Sequence, residues 1–142
     1  MIDLKGNLVS SAYQEWAWDI LPPEIAPMGK EFKPGKFWDI ICRLIRESIR
    51  KANISPVDII AVSSASQRQG VVFLDKKGRE LYAGPNTDIR ALMEGFAIDG
   101  EFGDEVYRIT GHKPSLLFVP ARLKWFQANR PRIHEKIATA LS

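Results

Sequence analysis

The chain has 142 residues, of which 45% are hydrophobic and 26% are charged, and this composition is that of one globular domain with its own core. Its net charge of +3 comes from lysines and arginines spread along the sequence, which predicts no nucleic-acid partner. The sequence has no long apolar run, no cysteine–histidine metal spacing and no Gly-rich phosphate loop, and Cys42 has no second cysteine to pair with. These features predict a cytoplasmic protein without a membrane partner or a metal or cofactor site within this chain.

The chain is predicted to open with a short antiparallel pair of strands. Met1–Leu4 and Leu8–Trp16 flank Lys5-Gly6-Asn7, a sequence typical of a turn. The first strand would have only about four residues, which is typical of a sheet edge. Trp16 and Trp18 would then share one strand face, either as part of the core or as a platform for stacking on a ligand.

A helix is predicted at Lys36–Asn53, where apolar residues recur at helical spacing. Pro34 suits the first turn and Asn53 suits the end of the helix. Trp38 lies on the apolar face and is expected in the core.

The rest of the chain is predicted to combine strands with helices. Asp58–Ser63 is a short apolar run typical of a buried strand, and Gly70–Leu74 and Glu80–Ala83 flank a hairpin turn that ends in Gly78. Helices are expected at Asp88–Phe96, Asp104–Ile109, Pro120–Asn129 and Pro131–Ala138, with Gly111 as a C-cap and no closing element after the last of them. The predicted fold class is α/β or α+β, with a mixed sheet that is antiparallel in part and has flanking helices.

Two polar clusters come directly after strand-like runs and form the candidate binding site, and because the hairpin between them reverses the chain, they are expected to lie together at one end of the sheet. The first is Gln67, Arg68 and Gln69, and the second contains Asn86 and Asp88. Guanidinium and amide groups donate several hydrogen bonds, which suits the recognition of hydroxyl groups. The alternatives are a polar turn before the hairpin, an Asp88 side chain that caps the next helix, and a contact between Asp88 and Arg90.

No catalytic residue is predicted in this chain. His112 and His134 are isolated in the sequence, and neither has the serine or cysteine partner that nucleophilic catalysis requires.

In order and spacing these motifs resemble the FGGY carbohydrate kinases, and among them the autoinducer-2 kinase branch. The segments that carry the resemblance are Met1–Asn7, Glu15-Trp16, Phe37-Trp38, Ala61–Ser63, Gln67–Gly70, Asn86–Ala91, Glu105–Gly111 and Pro120–Trp125. The resemblance runs over nearly the whole chain. It implies an RNase H-like, actin-like ATPase domain, here incomplete, with residues 1–142 forming part of the N-terminal, sugar-binding domain.

The resemblance also implies roles for the candidate residues. Gln67, Arg68 and Gln69 match the substrate-contact motif of the family, and Asp88 matches a further family aspartate. Asn86 stands where many relatives have Trp, and Leu117 stands where glycerol kinases have Tyr, so a simple glycerol or xylulose kinase is not expected. The implied partner is a small sugar or polyol.

The complete family enzyme uses ATP and Mg²⁺, and the resemblance places its phosphate loop before the residue matching Met1 and its catalytic aspartate beyond Ser142. We therefore expect residues 1–142 to be inactive as a kinase on their own, because phosphoryl transfer needs ATP, Mg²⁺ and acceptor held together. Further expected partners are the remaining part of a split kinase and a second copy bound through the open sheet edge. The alternative function is a stand-alone interaction or oligomerisation domain.

Overall fold

The computed structural model describes residues 1–114 and 116–142. The chain divides into two units, each of which draws on two segments of the sequence. The helical unit comprises Met1–Ala17 and Lys33–Ser66, and the sheet unit comprises Trp18–Phe32 and Gln67–Ser142.

The helical unit is built on α1, Pro34–Ala52, which confirms the predicted helix. Pro34 lies in the first turn, where its missing N–H leaves no bond unmade. The helix ends at Asn53, which adopts the left-handed conformation at φ 51° and donates its N–H to the carbonyl of Arg50. Lys51 Nζ lies 2.7 Å from Glu47 Oε1 on the exposed face, the i,i+4 arrangement that supports a helix.

The two strands predicted for the start of the chain are not formed, and the prediction is wrong beyond one bridge between Ile2 and Leu8. The turn between them exists, since Asp3 Oδ1 accepts the N–H of Asn7 at 2.9 Å. Two strands without a third are marginal in water, and no further strand of the described residues pairs with them.

The buried strand predicted at Asp58–Ser63 is also absent. A 3-10 turn covers Pro56–Asp58, and residues 59–63 belong to no sheet of the described chain. Ile60 and Val62 are 76% and 86% exposed. A strand requires a hydrogen-bonded neighbour, and an apolar run alone does not supply one.

The tryptophans differ from expectation. Trp38 is 62% exposed, so its predicted place in the core is wrong, although it lies on the apolar side of the α1 sequence. Trp16 and Trp18 do not share a strand face. Trp16 stacks on Phe37 at a ring separation of 4.4 Å, and Trp18 packs against Phe32 at 5.7 Å.

The sheet unit contains a three-stranded antiparallel sheet, in which Val71–Leu74 is the central strand between Glu80–Gly84 and Thr139–Leu141. Strand β3, Val71–Leu74, and strand β4, Glu80–Gly84, form the predicted hairpin, in which Val71 faces Gly84. The turn fits its residues, because Asp75 and Arg79 close it with an N–H to carbonyl bond and Gly78 has φ 74°. A smaller pair, β1 at Asp19–Ile20 and β2 at Lys30–Glu31, lies in the same unit.

The C-terminal end of the chain was predicted incorrectly. Helix α4 covers only Pro131–His134, and β5, Thr139–Leu141, then pairs with β3. The N–H of Ala138 bonds to the carbonyl of Leu74 and leads the chain onto the free edge of β3. The pairing of β5 with the edge of β3, more than sixty residues away in the sequence, outweighs the local helical pattern.

The remaining helices of the sheet unit are α2, Leu92–Thr110, and α3, Val119–Asn129. The two short helices predicted at Asp88–Phe96 and Asp104–Ile109 are one continuous helix. The glycines between them are tolerated inside a helix at a cost of only about 1 kcal/mol each. Gly111 caps α2 at φ 75°, as predicted.

An aromatic cluster forms the core of the sheet unit. Phe73 of β3 and Tyr82 of β4 pack against Phe126 of α3, with ring separations of 5.5 Å and 4.9 Å. Trp125 is buried beside them. The result is a mixed α/β arrangement with small sheets and flanking helices, as the predicted fold class requires. Among the described residues, no helix combines the length and the apolar character needed to cross a bilayer.

Candidate functional site

The two polar clusters of the sequence lie together at one end of the β3–β4 hairpin. Residues 67–70 lead into β3 and residues 85–88 follow β4, and we call these two segments the loop pair. Because the strands are antiparallel, the start of β3 lies beside the end of β4. The side-chain oxygen of Gln67 accepts the N–H of Asn86 at 3.3 Å. The expected proximity of the two clusters is therefore confirmed for Gln67 and Asn86.

Arg122 of α3 forms hydrogen bonds with both segments of the loop pair. Its side chain is fully buried, and its Nη1 donates to the carbonyl of Gln69 at 2.6 Å. Its Nη2 donates to the carbonyls of Pro85 and Asp88 at 2.7 Å and 3.3 Å. No role for Arg122 is predicted from the sequence. One feature of the sequence indicates that Arg122 is buried: it lies one helical turn before Phe126 and therefore on the same face of the helix.

The backbone of the first loop is held in an uncommon conformation. Gln69 has φ 64°, in the left-handed region that favours glycine. Such a conformation persists when the surroundings hold it, and it is frequent at binding sites. The bond from Arg122 to the Gln69 carbonyl supplies that restraint.

The carboxylate of Asp88 is enclosed by protein donors. It accepts the N–H of Lys30 at 3.2 Å, the Nε of Arg90 at 2.8 Å and the hydroxyl of Tyr82. The alternative in which Asp88 caps a helix is wrong, because α2 begins after Ala91 and has no side-chain cap. The alternative contact with Arg90 is formed, because both residues lie in the turn before the helix, where the poor i,i+2 geometry of a helix does not apply.

Arg90 extends this buried network. Its guanidinium lies over the rings of Tyr82 and Trp125, at 4.8 Å and 5.1 Å, and its Nη2 pairs with Glu31 at 2.9 Å. Burial raises the pKa of the Tyr82 hydroxyl, and the nearby Asp88 charge raises it further. Burial acts to lower the pKa of Arg90, but the charge and hydrogen bond of Asp88, together with Tyr82 and Glu31, outweigh burial, and the net pKa is raised. The tyrosine therefore stays a donor and the arginine stays charged at neutral pH.

The candidate residues differ in what they can offer a ligand. Arg68 is exposed and forms no hydrogen bond or ion pair with the part of the chain that the structure describes, so its guanidinium donors are available. Gln67 is exposed, Asn86 is half-buried, and the Gln69 backbone is bound to Arg122. The Asp88 oxygens already have protein donors, and a direct contact from Asp88 to a sugar stays a prediction.

A protein-family comparison identifies the chain. The family model described as "FGGY family of carbohydrate kinases, N-terminal domain" matches residues 1–142. The chain belongs to this family. The FGGY resemblance drawn from the motifs is thereby confirmed.

The most similar FGGY relatives found include two autoinducer-2 kinases. The chain is 34% identical to the autoinducer-2 kinase of Salmonella paratyphi B over 143 residues, which are 98% of this chain and 26% of that protein. It is 33% identical to the autoinducer-2 kinase of Escherichia coli K12, with the same coverage. The chain therefore spans about a quarter of the length of these relatives. They support the branch of the family that the motifs indicated.

The solved structures that resemble the chain are also sugar kinases. The xylulose kinase from Rhodospirillum rubrum superposes with a TM-score of 0.80 at 22% identity, over 98% of this chain and 28% of that one. The gluconate kinase from Lactobacillus acidophilus gives a TM-score of 0.72 at 16% identity, over 89% of this chain and 25% of that one. At these identities the likeness shows the fold, which is the actin-like ATPase fold of FGGY kinases.

Proposed function

We propose that this FGGY chain supplies the sugar-binding part of an ATP-dependent carbohydrate kinase, which transfers the γ-phosphate of ATP to a hydroxyl of a small sugar or polyol. One observation carries the proposal. Arg122 fixes the loop pair at the end of the hairpin, and within that pair Arg68 is exposed, with no hydrogen-bond or ion-pair partner among the described residues. Family membership supports the same reaction class. Because such a reaction consumes ATP, the proposal places the protein in the cytoplasm.

In this proposal Gln67, Arg68, Gln69 and Asn86 orient the acceptor. Arg68 donates to neighbouring hydroxyls through its fork of N–H groups, and the amides of Gln67 and Asn86 both donate and accept. Because the Asp88 carboxylate is enclosed, Asp88 supports the site indirectly. Its carboxylate accepts a hydrogen bond from Arg90, and its backbone carbonyl accepts one from Arg122.

The proposal assigns no ATP or Mg²⁺ ligand to this chain. No cluster of three His, Cys, Asp or Glu side chains able to hold a metal is present among the residues that the structure describes. The substrate contact is therefore the part of the reaction that residues 1–142 can be tested for.

Arg68→Ala is expected to weaken sugar binding by about ten-fold or more, because several hydrogen bonds from a charged group are lost. Isothermal titration of the purified chain with xylulose, gluconate, small polyols and autoinducer-2-like diols measures the effect. Lys77→Ala is the matched control, since Lys77 is an exposed cation at the opposite end of the hairpin. Equal affinities for the wild type and Arg68→Ala, or no binding of any sugar by the wild type, would contradict the proposal.

A second candidate function, self-association, is favoured by a groove in the helical unit. The groove has a volume of about 1080 Å³, and its lining is mostly apolar: Met1, Ile2, Leu4, Val9, Ile41, Leu44, Ile45, Ile54, Ile59, Ile60 and Val62. Residues 59–63, which line part of this groove, have no strand partner among the described residues. A second copy could cover these apolar side chains and pair with this backbone.

Self-association predicts a dimer by light scattering at micromolar concentration. Ile60→Lys is expected to shift the chain to monomer, because it places a charge on the lining of the groove. Met93→Lys, at an exposed apolar residue of α2, is the control and should leave the dimer intact. A wild-type chain that stays monomeric and thermally stable would exclude this candidate.

A further inference from the structure

Arg122 is buried in a way that stability alone does not explain. Its side chain is fully buried, yet no carboxylate of the described residues forms an ion pair with it. Its charge is compensated by three backbone carbonyls, and its Nε has no hydrogen-bond partner among the described residues. Burying a charged group with one donor unpaired is costly, and a well-packed apolar side chain of similar volume is often at least as stable.

The three carbonyls belong to different members of the loop pair. The Gln69 carbonyl lies in the loop before β3, and those of Pro85 and Asp88 lie in the loop after β4. The hairpin separates these loops in sequence. A further hydrogen bond between the two loops runs from the Asn86 N–H to the side-chain oxygen of Gln67, at 3.3 Å. The rigid fork of one guanidinium therefore sets the spacing of the two loops.

We propose that Arg122 is a positioning residue for sugar recognition: it fixes Arg68 and Asn86 at the separation that the bound sugar requires. The inference rests on the proposed function of the loop pair. Arg122 itself is buried and does not touch the ligand. Its effect is preorganisation, since a loop already held in its binding geometry loses less conformational entropy when the ligand binds.

Arg122→Met removes the three carbonyl bonds while keeping an unbranched side chain. We expect its sugar affinity to fall about ten-fold, and the amides of Asn86 and Asp88 to exchange with solvent about ten-fold faster, because charged hydrogen bonds to both loops are lost. The amide of Asp75, bonded to Arg79 at the far end of the hairpin, should change less than about two-fold, because local opening is confined to the loops.

Two further variants separate positioning from stability. Arg130→Met is the matched control, since it removes an arginine bond to the Ile25 carbonyl and leaves the loop pair untouched. Arg122→Lys keeps the charge but not the fork, and we expect it to recover part of the affinity and of the amide protection. Binding is measured under conditions in which each variant is folded. An unfolded fraction of about one per cent lowers the apparent affinity by only about one per cent, so it does not account for a ten-fold loss.

The outcomes distinguish this inference from the proposed function. If the wild type binds sugar and Arg122→Met binds it equally well, positioning is overturned and the proposed function stands. If the wild type binds no sugar, the proposed function fails. Amide exchange then tests whether Arg122 fixes the loops: unchanged exchange of Asn86 and Asp88 in Arg122→Met overturns that role. Should Arg122→Met fail to fold, wild-type affinity and exchange in Arg122→Lys would overturn it.

Discussion

Asp88→Ala is expected to lower the free energy of unfolding by about 3–5 kcal/mol, the range typical of removing one partner from a buried ion pair. The side chains of Asp88 and Arg90 are both almost fully buried. The substitution leaves the Arg90 charge without its main partner and the Tyr82 hydroxyl without its acceptor. It also removes the acceptor of the Lys30 N–H, which ties β2 to this turn. Urea unfolding followed by tryptophan fluorescence measures the loss.

The control for this prediction is Asp104→Ala. Asp104 pairs with Lys113 at 2.6 Å, but the aspartate is fully exposed, and solvent screening makes such a pair contribute little, so Asp104→Ala should leave the free energy of unfolding almost unchanged. Comparable losses in the two variants would mean that burial of the Asp88 pair has no energetic consequence, contrary to the structure.

Phe73→Ala is expected to lower the free energy of unfolding by about 3–5 kcal/mol, because a large buried aromatic side chain is replaced by a cavity. Phe73 is completely buried and contacts Tyr82 and Phe126, so it joins the hairpin to α3. Thermal unfolding by circular dichroism measures the effect. Phe96→Ala, at a residue that is 52% exposed on α2, should change stability by no more than about 0.5 kcal/mol, as is usual for surface substitutions.

The elements predicted correctly are those specified by residues within a few positions of one another. The hairpin follows from its turn residues around Gly78, and α1 follows from its apolar spacing between Pro34 and Asn53. The end of α2 follows from Gly111 alone. In each case local preference and the final fold agree, so no distant contact is needed to predict the element.

The elements predicted incorrectly depend on distant partners. Strand β5 exists because Thr139–Leu141 finds the free edge of β3, and no local pattern announces that pairing. Conversely, Asp58–Ser63 has the composition of a strand but lacks a partner in the described chain. The burial of Trp38 was predicted incorrectly for a similar reason. Periodicity identifies the apolar face of a helix but not whether another element covers it, and Trp38 is exposed.

The candidate site was predictable in its position and only partly in its contacts. The hairpin predicted that the Gln67 and Asn86 loops would meet, which the structure confirms. The enclosure of Asp88 depends on Lys30 and Tyr82, and the restraint on the loops depends on Arg122 from a separate helix. Such long-range contacts are set by packing, which a single sequence does not reveal.

An NMR titration of the isotopically labelled chain with the tightest-binding sugar of the panel tests directly whether the loop pair binds sugar. We expect saturable shifts of the backbone amides of residues 67–70 and 86–88, with the same dissociation constant as calorimetry gives. In Arg68→Ala the same shifts should need an about ten-fold or more higher sugar concentration to saturate, and in Lys77→Ala they should saturate as in the wild type. Saturable shifts confined to the groove of the helical unit around Ile41 and Ile60, or no saturable shift with any sugar, would contradict a sugar site at the loop pair.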